Sequence, residues 1–183
     1  MSEEFFSAGR PSADEFPAFM GKYIDLVSEA DVMEALELQT GRFRILAESI
    51  EPSQVHRVHS PYKWTIAEVL GHCNDTERVF AYRALRFASG DQVKLPGFDQ
   101  DHYVRAFNYG ACELSDLVDE WVHLRRANLF LFARFSIDQW RFGGEADGSY
   151  CTVRALAYAM VGHLRHHSNI LQQRLTLRSI TLV

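Results

Sequence analysis

The sequence predicts an all-α protein, a four-helix bundle with a long crossover between its second and third helices. Two observations lead to this prediction. Four segments repeat apolar residues at intervals of three and four, the spacing that places them on one face of a helix. The connection between the second and third segments, residues 90–110, is long enough to act as a crossover. No repeat or linker divides the chain, so residues 1–183 are expected to form a single domain.

The N-terminal arm precedes the first helix. Residues 1–30 contain Pro11 and Pro17 and are expected to be irregular, ending in a short turn. The first helix is predicted from about residue 31 to residue 50, where the helical period is carried by Val32, Leu36, Phe43 and Leu46.

The second helix has the clearest start signal. Thr65 is a good N-cap, and Glu68 three residues later completes a capping box ahead of a long apolar-periodic stretch. This helix is predicted to continue to about Ser89, where Gly90 ends it.

The third and fourth helices are predicted at about Glu113 to Phe135 and from after Thr152 to about Leu175. Between them the sequence FGGEADGSY contains an Asp-Gly pair, which predicts a hairpin-like turn. One stripe of the third helix carries Leu114, Leu117, Val118, Trp121, Arg125, Asn128 and Phe132.

Composition excludes several classes of function. The formal net charge is −5 and no cluster of Lys and Arg interrupts it, so we expect no nucleic-acid partner. No apolar run approaches the roughly 20 residues that cross a bilayer, and the acidic N-terminus does not resemble a secretory signal. Three cysteines without CxxC spacing predict reduced thiols in a cytoplasmic protein.

Three histidines occupy the otherwise apolar segment GHLRHHSNIL, residues 162–171. His163 and His167 fall within about 20° of the centre of the apolar stripe, whereas His166 lies about 80° away on its flank. Buried imidazoles without partners cost a few kcal/mol, and the i, i+4 spacing lets two of them reach one cation. The alternative is a pair of core histidines that hydrogen-bond to neighbouring groups.

A third metal ligand should come from another helix, and the second helix offers His72 at the margin of its buried face. Three neutral imidazoles with open positions are typical of a reactive site rather than of a closed structural one. His102 in the crossover is the reserve ligand. The other histidines are expected in loops or in solvent: His56, His59 and His123.

A ferritin-like di-iron site is excluded, because Glu-x-x-His is needed on two inward helix faces and Glu120 with His123 points outward. Two carboxylates follow His72: Asp75 is a candidate to orient a ligand, whereas Glu77, about 140° from His72, is expected to be solvated.

Arg83 shares the stripe of His72 and is expected to form an ion pair with an acidic neighbour, with contact to an anionic substrate as the alternative. Cys73 is expected to be a small core residue, and Cys151 precedes the fourth helix, whose dipole would lower a thiol pKa. The charged crossover is expected to be exposed at Asp99, Asp101 and Tyr103.

Three blocks of the chain, WTIAEVLGHCNDTERVFAYRALRFASG, LPGFDQDHYV and VRALAYAMVGHLRHHSNILQQR, together resemble the DinB-like family of metal-binding four-helix bundles. The resemblance starts at about residue 20 and keeps the order of the blocks. It implies a metal trio of His72, His163 and His167, a nickel, zinc or iron ion with water in the open positions, and a homodimer. Some members of the family transfer a low-molecular-weight thiol, such as bacillithiol or mycothiol, to a small electrophile. Others are described as metal-dependent hydrolases.

Three alternative functions are therefore expected, in order of preference. No catalytic side chain is assigned to any of them. The first is a metal-dependent thiol S-transferase, in which the ion lowers the pKa of a thiol that attacks a small electrophile. The second is a hydrolase that uses the same ion to activate water. The third is a metal-binding stress protein without enzyme activity.

Overall fold

The computed structural model describes residues 8–175, and its architecture is the predicted four-helix bundle. Each of the four long helices packs against two others in the cyclic order first, third, second, fourth. They are α2 (Val32–Glu48), α4 (Ile66–Ala88), α6 (Leu114–Phe132) and α8 (Val153–Leu175). All four predicted helices are confirmed, with boundaries that differ by at most a few residues.

The start of α4 follows from its capping box. The Thr65 hydroxyl accepts a hydrogen bond from the Glu68 amide at 3.2 Å, and the Glu68 carboxylate accepts one from the Thr65 amide at 2.7 Å. These two bonds satisfy amide groups that have no partner inside the helix. The capping box therefore fixes the register of the helix that carries His72.

The prediction of an irregular arm is wrong for the part of it that the structure describes. A 3-10 turn at Ala13–Glu15 leads into α1 (Ala18–Ile24), which packs against α8. Met20 and Ile24 of α1 are buried. A helix this short gains its stability from burial against a neighbour rather than from its own sequence, so its periodic signal is weak. Residues 1–7 of the predicted arm lie outside the described range.

Short elements occupy the connections between the long helices. They are α3 (Pro52–Val55), α5 (Gln100–Ala106), a 3-10 turn (Tyr109–Ala111) and α7 (Ile137–Arg141). The predicted hairpin is confirmed: β1 (Gly143–Ala146) pairs antiparallel with β2 (Ser149–Thr152). Its turn has Asp147 at φ 55° and Gly148 at φ 69°, the positive values that a tight hairpin turn requires.

The crossover is attached to the hairpin at Leu95. The Leu95 amide donates to the Glu145 carbonyl at 2.9 Å, and the Leu95 carbonyl accepts from the Asp147 amide at 3.0 Å. This attachment places Pro96 and Phe98 beside Arg83 in the C-terminal half of α4, where Phe98 forms part of the cavity described below.

In the described range, no helix is long and apolar enough to cross a membrane. The three cysteines are free thiols: Cys73 and Cys151 are buried, and Cys112 is half-buried.

Candidate metal centre

Three imidazoles from α4 and α8 meet inside the bundle. The Nε2 atom of His163 lies 3.0 Å from Nε2 of His72 and 3.1 Å from Nε2 of His167. One ligand atom from each of the three residues lies within 4.8 Å of the other two. The rings are set at steep angles to one another, between 65° and 75°, so their edges rather than their faces converge.

The spacing of these nitrogen atoms fits a shared metal ion. Nitrogen ligands held about 2.0–2.1 Å from an ion lie roughly 2.9 Å apart at right angles and roughly 3.4 Å apart in a tetrahedron. The two separations fall between these values. A neutral imidazole nitrogen either donates one proton or accepts one, so Nε2 of His163 cannot satisfy both neighbours by hydrogen bonding. A cation at the point of convergence would satisfy all three lone pairs.

Burial keeps all three rings neutral at pH 7. It lowers the pKa of His72 to about 4, against a smaller opposing effect of the Asp101 carboxylate. Burial also lowers the pKa of His163 and of His167 well below the usual value of 6.5, and neighbouring imidazoles lower both further. Neutral imidazoles present the free lone pairs that a metal needs.

Close packing of α1 against α8 holds His163 in place. A Cβ atom on Gly162 would lie 1.9 Å from the Tyr23 carbonyl oxygen, so only glycine allows this approach. The Tyr23 ring then meets His163 edge-on at 5.4 Å. On the other side of the site, Trp64 lies 5.0 Å from the His72 ring.

The remaining histidines are not members of the trio, although the His166 ring lies 5.1 Å from the His167 ring. His166 is half-buried on its flank and contacts Tyr23, and the reserve ligand His102 is exposed on α5 and outside the cluster. His56 is exposed, and His59 contacts Gln54 and Arg174. His123 is exposed, as expected.

A cavity of about 180 Å³ opens beside the trio and is bordered by His72 and His163. Its walls combine side chains of α1, α4, α8, the crossover and the hairpin. The apolar part includes Met20, Phe80, Phe98 and Leu156, and the polar part includes Thr76, Arg83, Gln100, Asp147 and Ser149.

The expectation that Glu77 is solvated is wrong, since only 3% of this residue is exposed. Its carboxylate accepts hydrogen bonds from Arg125 at 2.7 and 2.8 Å and from Asn128 at 2.9 Å. Arg125 also donates to the Gln39 side chain at 2.8 Å, and Gln39 donates to the Val161 carbonyl at 2.9 Å. The sequence did contain a signal for this carboxylate. Arg125 and Asn128 lie on the inward stripe of the third predicted helix, and a buried cation needs an anionic partner.

Asp75 is buried, but its partner is the Tyr109 hydroxyl rather than a histidine. Burial raises the pKa of Asp75, and the hydrogen bond with Tyr109 opposes that effect. In the described part of the chain Asp75 therefore does not orient a ring of the trio.

The predictions for the cysteines, for Arg83 and for the crossover are confirmed only in part. Cys73 is a core residue as expected, and burial raises its pKa. Cys151 is buried at the end of β2, and burial raises its thiol pKa to about 11, so the helix dipole does not produce a thiolate there.

Arg83 donates to the Pro96 carbonyl at 3.1 Å and, among the described residues, has no carboxylate within 4 Å, so the prediction of an ion pair is wrong. In the crossover, Asp99 and Asp101 are exposed and Tyr103 is half-buried.

Comparison with known proteins agrees with this architecture. YfiT from Bacillus subtilis, described as a probable metal-dependent hydrolase with an unusual four-helix bundle topology, has a similar structure with a TM-score of 0.69. The likeness covers 93% of this chain and 95% of that one at 15% identity, so it shows a shared fold. No curated protein matches the chain. The family model of the DinB superfamily matches residues 35–171, a range that includes all three converging histidines. On this match, the chain belongs to the DinB superfamily.

Proposed function

We propose that His72, His163 and His167 hold one divalent ion, nickel, zinc or iron, and that the protein uses it to transfer a low-molecular-weight thiol to a small electrophile. The convergence of the neutral Nε2 atoms of two buried histidines and one half-buried histidine beside a cavity is the observation that supports this proposal. A protein needs no such arrangement for packing, because three apolar side chains would fill the same space without unpaired nitrogen atoms.

The two buried thiols of the chain are poor nucleophiles. Cys151 borders the cavity, but its pKa of about 11 keeps it protonated at pH 7. Cys73 is buried, and burial raises its pKa as well. Cys112 is not among the residues that line the cavity, so we expect the nucleophile to enter from solution. A bound divalent ion would lower the pKa of a coordinated thiol or water into the neutral range.

The cavity walls would position the electrophile and keep water away. Met20, Phe80 and Leu156 offer apolar contacts next to the trio, which favours the carbon skeleton of a small organic molecule. In the reaction the thiol loses its proton to solvent, sulfur forms a bond to the electrophilic carbon, and the leaving group departs with its bonding electron pair.

Hydrolysis is the second candidate, because the same ion would lower the pKa of a bound water into the neutral range. The structurally similar YfiT is described as a probable metal-dependent hydrolase. In this reaction the water oxygen bonds to the ester or amide carbon, and the alcohol or amine leaves with a proton.

Metal analysis tests the shared part of both candidates. The untagged protein, incubated with nickel, zinc or iron(II) and then desalted, should retain one ion per chain, and His163→Ala should lose it. His123→Ala is the matched control, because His123 is exposed and outside the trio. Equal metal content in wild type and His163→Ala would overturn the site.

Turnover then separates the two reactions. With 1-chloro-2,4-dinitrobenzene as electrophile, thiol transfer predicts chloride release only when bacillithiol or mycothiol is added. With 4-nitrophenyl acetate, hydrolysis predicts turnover in buffer alone and a strong loss in His163→Ala. A metal-loaded protein that turns over neither probe would overturn both reactions and leave the protein without enzyme activity.

A further inference from the structure

Arg83 is the cationic side chain of the cavity next to the trio. It lies on the same stripe of α4 as His72, since their separation of eleven positions corresponds to about three helical turns. Only 8% of the residue is exposed. Its hydrogen bond to the Pro96 carbonyl and a contact with the Phe98 ring at 6.0 Å hold the guanidinium at the cavity wall.

The other two buried arginines of the described chain have carboxylate partners. Arg125 pairs with Glu77 and Arg165 with Glu29. Arg83 lacks such a pair within 4 Å among the described residues, although it too is buried, with 8% of it exposed against 0% of Arg125 and 4% of Arg165. A buried cation costs free energy unless an anion compensates it, so the missing partner points to a ligand.

A second polar group of the same cavity also lacks a partner. Thr76 lies one turn after His72 on α4, and only 2% of it is exposed. Its hydroxyl has no hydrogen-bond partner in the described part of the protein, and the residue lines the cavity. The cavity thus presents an unsatisfied hydroxyl near the trio and an unpaired guanidinium farther along the same helix.

We infer that the cavity binds an elongated substrate whose reacting end meets the metal ion and whose anionic end, a carboxylate or similar group, pairs with Arg83. This inference rests on the proposed function, because it takes the ion to be at the trio. The Cα atoms of His72 and Arg83 are about 16 Å apart along the helix axis, and the arginine side chain leans back toward the N-terminus. The two ends of the ligand are therefore separated by a chain of several atoms.

Asp147 is the competing partner for Arg83. It lines the same cavity and is close enough to raise the pKa of Arg83, but it is exposed in the hairpin turn and forms no ion pair with it. If Asp147 already neutralised Arg83, an added anion would gain nothing. Removing the Asp147 charge should instead strengthen anion binding, because it removes a repulsion on the incoming group.

The test uses thiols that carry a carboxylate at the far end. The protein is loaded with cobalt(II), and the thiolate-to-cobalt absorption band reports binding of mercaptoacetate, 3-mercaptopropionate, 4-mercaptobutyrate, 6-mercaptohexanoate and 8-mercaptooctanoate. Each acid is compared with the ω-mercaptoalcohol of equal length. We expect the acid to bind about tenfold or more tightly than the alcohol at one intermediate length, with no preference for mercaptoacetate.

Variants locate the preference. Arg83→Gln should bring the acid-to-alcohol ratio to one while the band persists, and Asp147→Asn should increase the ratio. Arg78→Gln, an exposed arginine of α4 paired with Glu120, is the matched control and should leave the ratio unchanged. If Arg83→Gln does not fold, the wild-type length dependence and Asp147→Asn still decide.

Two failures are distinguishable. Equal binding of acids and alcohols at every length in wild type would overturn the role of Arg83 and leave the metal site intact. Absence of cobalt binding, or of the thiolate band with every thiol, would overturn the proposed function itself.

Discussion

Positions 72 and 77 of α4 both place polar side chains in the core, and the two are completed in opposite ways. Glu77 and Arg125 form an ion pair in which Asn128 and Gln39 supply further hydrogen bonds, so the protein itself satisfies the charges. His72 meets His163 and His167 with nitrogen atoms that cannot all satisfy one another. The difference separates a polar group that stabilises the fold from one that is ready for a ligand.

The largest effect is expected for Arg125→Met, which removes the ion-pair partner of the buried Glu77 carboxylate. We expect a loss of about 3–5 kcal/mol in the free energy of unfolding, because Glu77 is left as an unpaired buried charge. Urea unfolding measures it. The control Arg44→Met removes an ion pair with Asp119 in which both side chains are about half exposed, and should cost only ~0–1 kcal/mol. Similar losses in both variants would contradict the distinction.

The trio, in contrast to the ion pair of Glu77 and Arg125, is expected to stabilise the fold only when it binds an ion. A divalent ion at a hundredfold excess over its Kd should raise the free energy of unfolding by about 2.7 kcal/mol, and a chelator should reverse the gain. His167→Ala should abolish this increment because it removes a ligand, whereas the neighbouring His166→Ala should keep it. Thermal melts with ion and with chelator compare the three proteins. A full metal-dependent gain in His167→Ala would show that the trio is not the binding site.

A smaller effect is expected at an ion pair nearer the surface, where Glu15 joins the start of α8 to the arm. Burial alone would raise the pKa of Glu15, but hydrogen bonds from Arg154, Ser12 and Thr152 outweigh it and lower the pKa to about 2. A lowered carboxyl pKa adds stability above the unfolded value of 4.5, and this contribution is lost as the pH falls from there toward 2.

Glu15→Gln should therefore reduce stability by ~2 kcal/mol at pH 7, with the difference from wild type shrinking between pH 4.5 and 2. Urea unfolding at a series of pH values measures the difference, so that other titrating groups cancel. A difference that stays constant down to pH 2 would mean that the Glu15 charge contributes nothing.

The long helices and the inward histidines followed from local patterns. The capping box at Thr65 and Glu68 located the start of α4, and the Asp-Gly turn located the hairpin. His163 and His167 were placed on the buried face of α8 by helical geometry alone, because a period of 3.6 residues fixes which side chains share a face.

Helical geometry alone predicted the wrong environment for Glu77. Its angle was measured from the stripe that contains His72, but α4 packs against both α6 and α8. A helix with two neighbours buries a wide arc, so a residue far from one stripe meets the other partner. Glu77 faces Arg125 of α6, whereas His72 faces His163 of α8.

The four helices, their ends and the two inward imidazoles of α8 could be predicted from the sequence, since these depend on backbone geometry and on residues a few positions apart. The three-dimensional structure was needed to show that α1 packs on α8, that Glu77 pairs with Arg125 and that, among the described residues, no carboxylate lies within 4 Å of Arg83. Those outcomes depend on which distant side chains come within a few ångströms of one another, and the packing of the helices sets that distance.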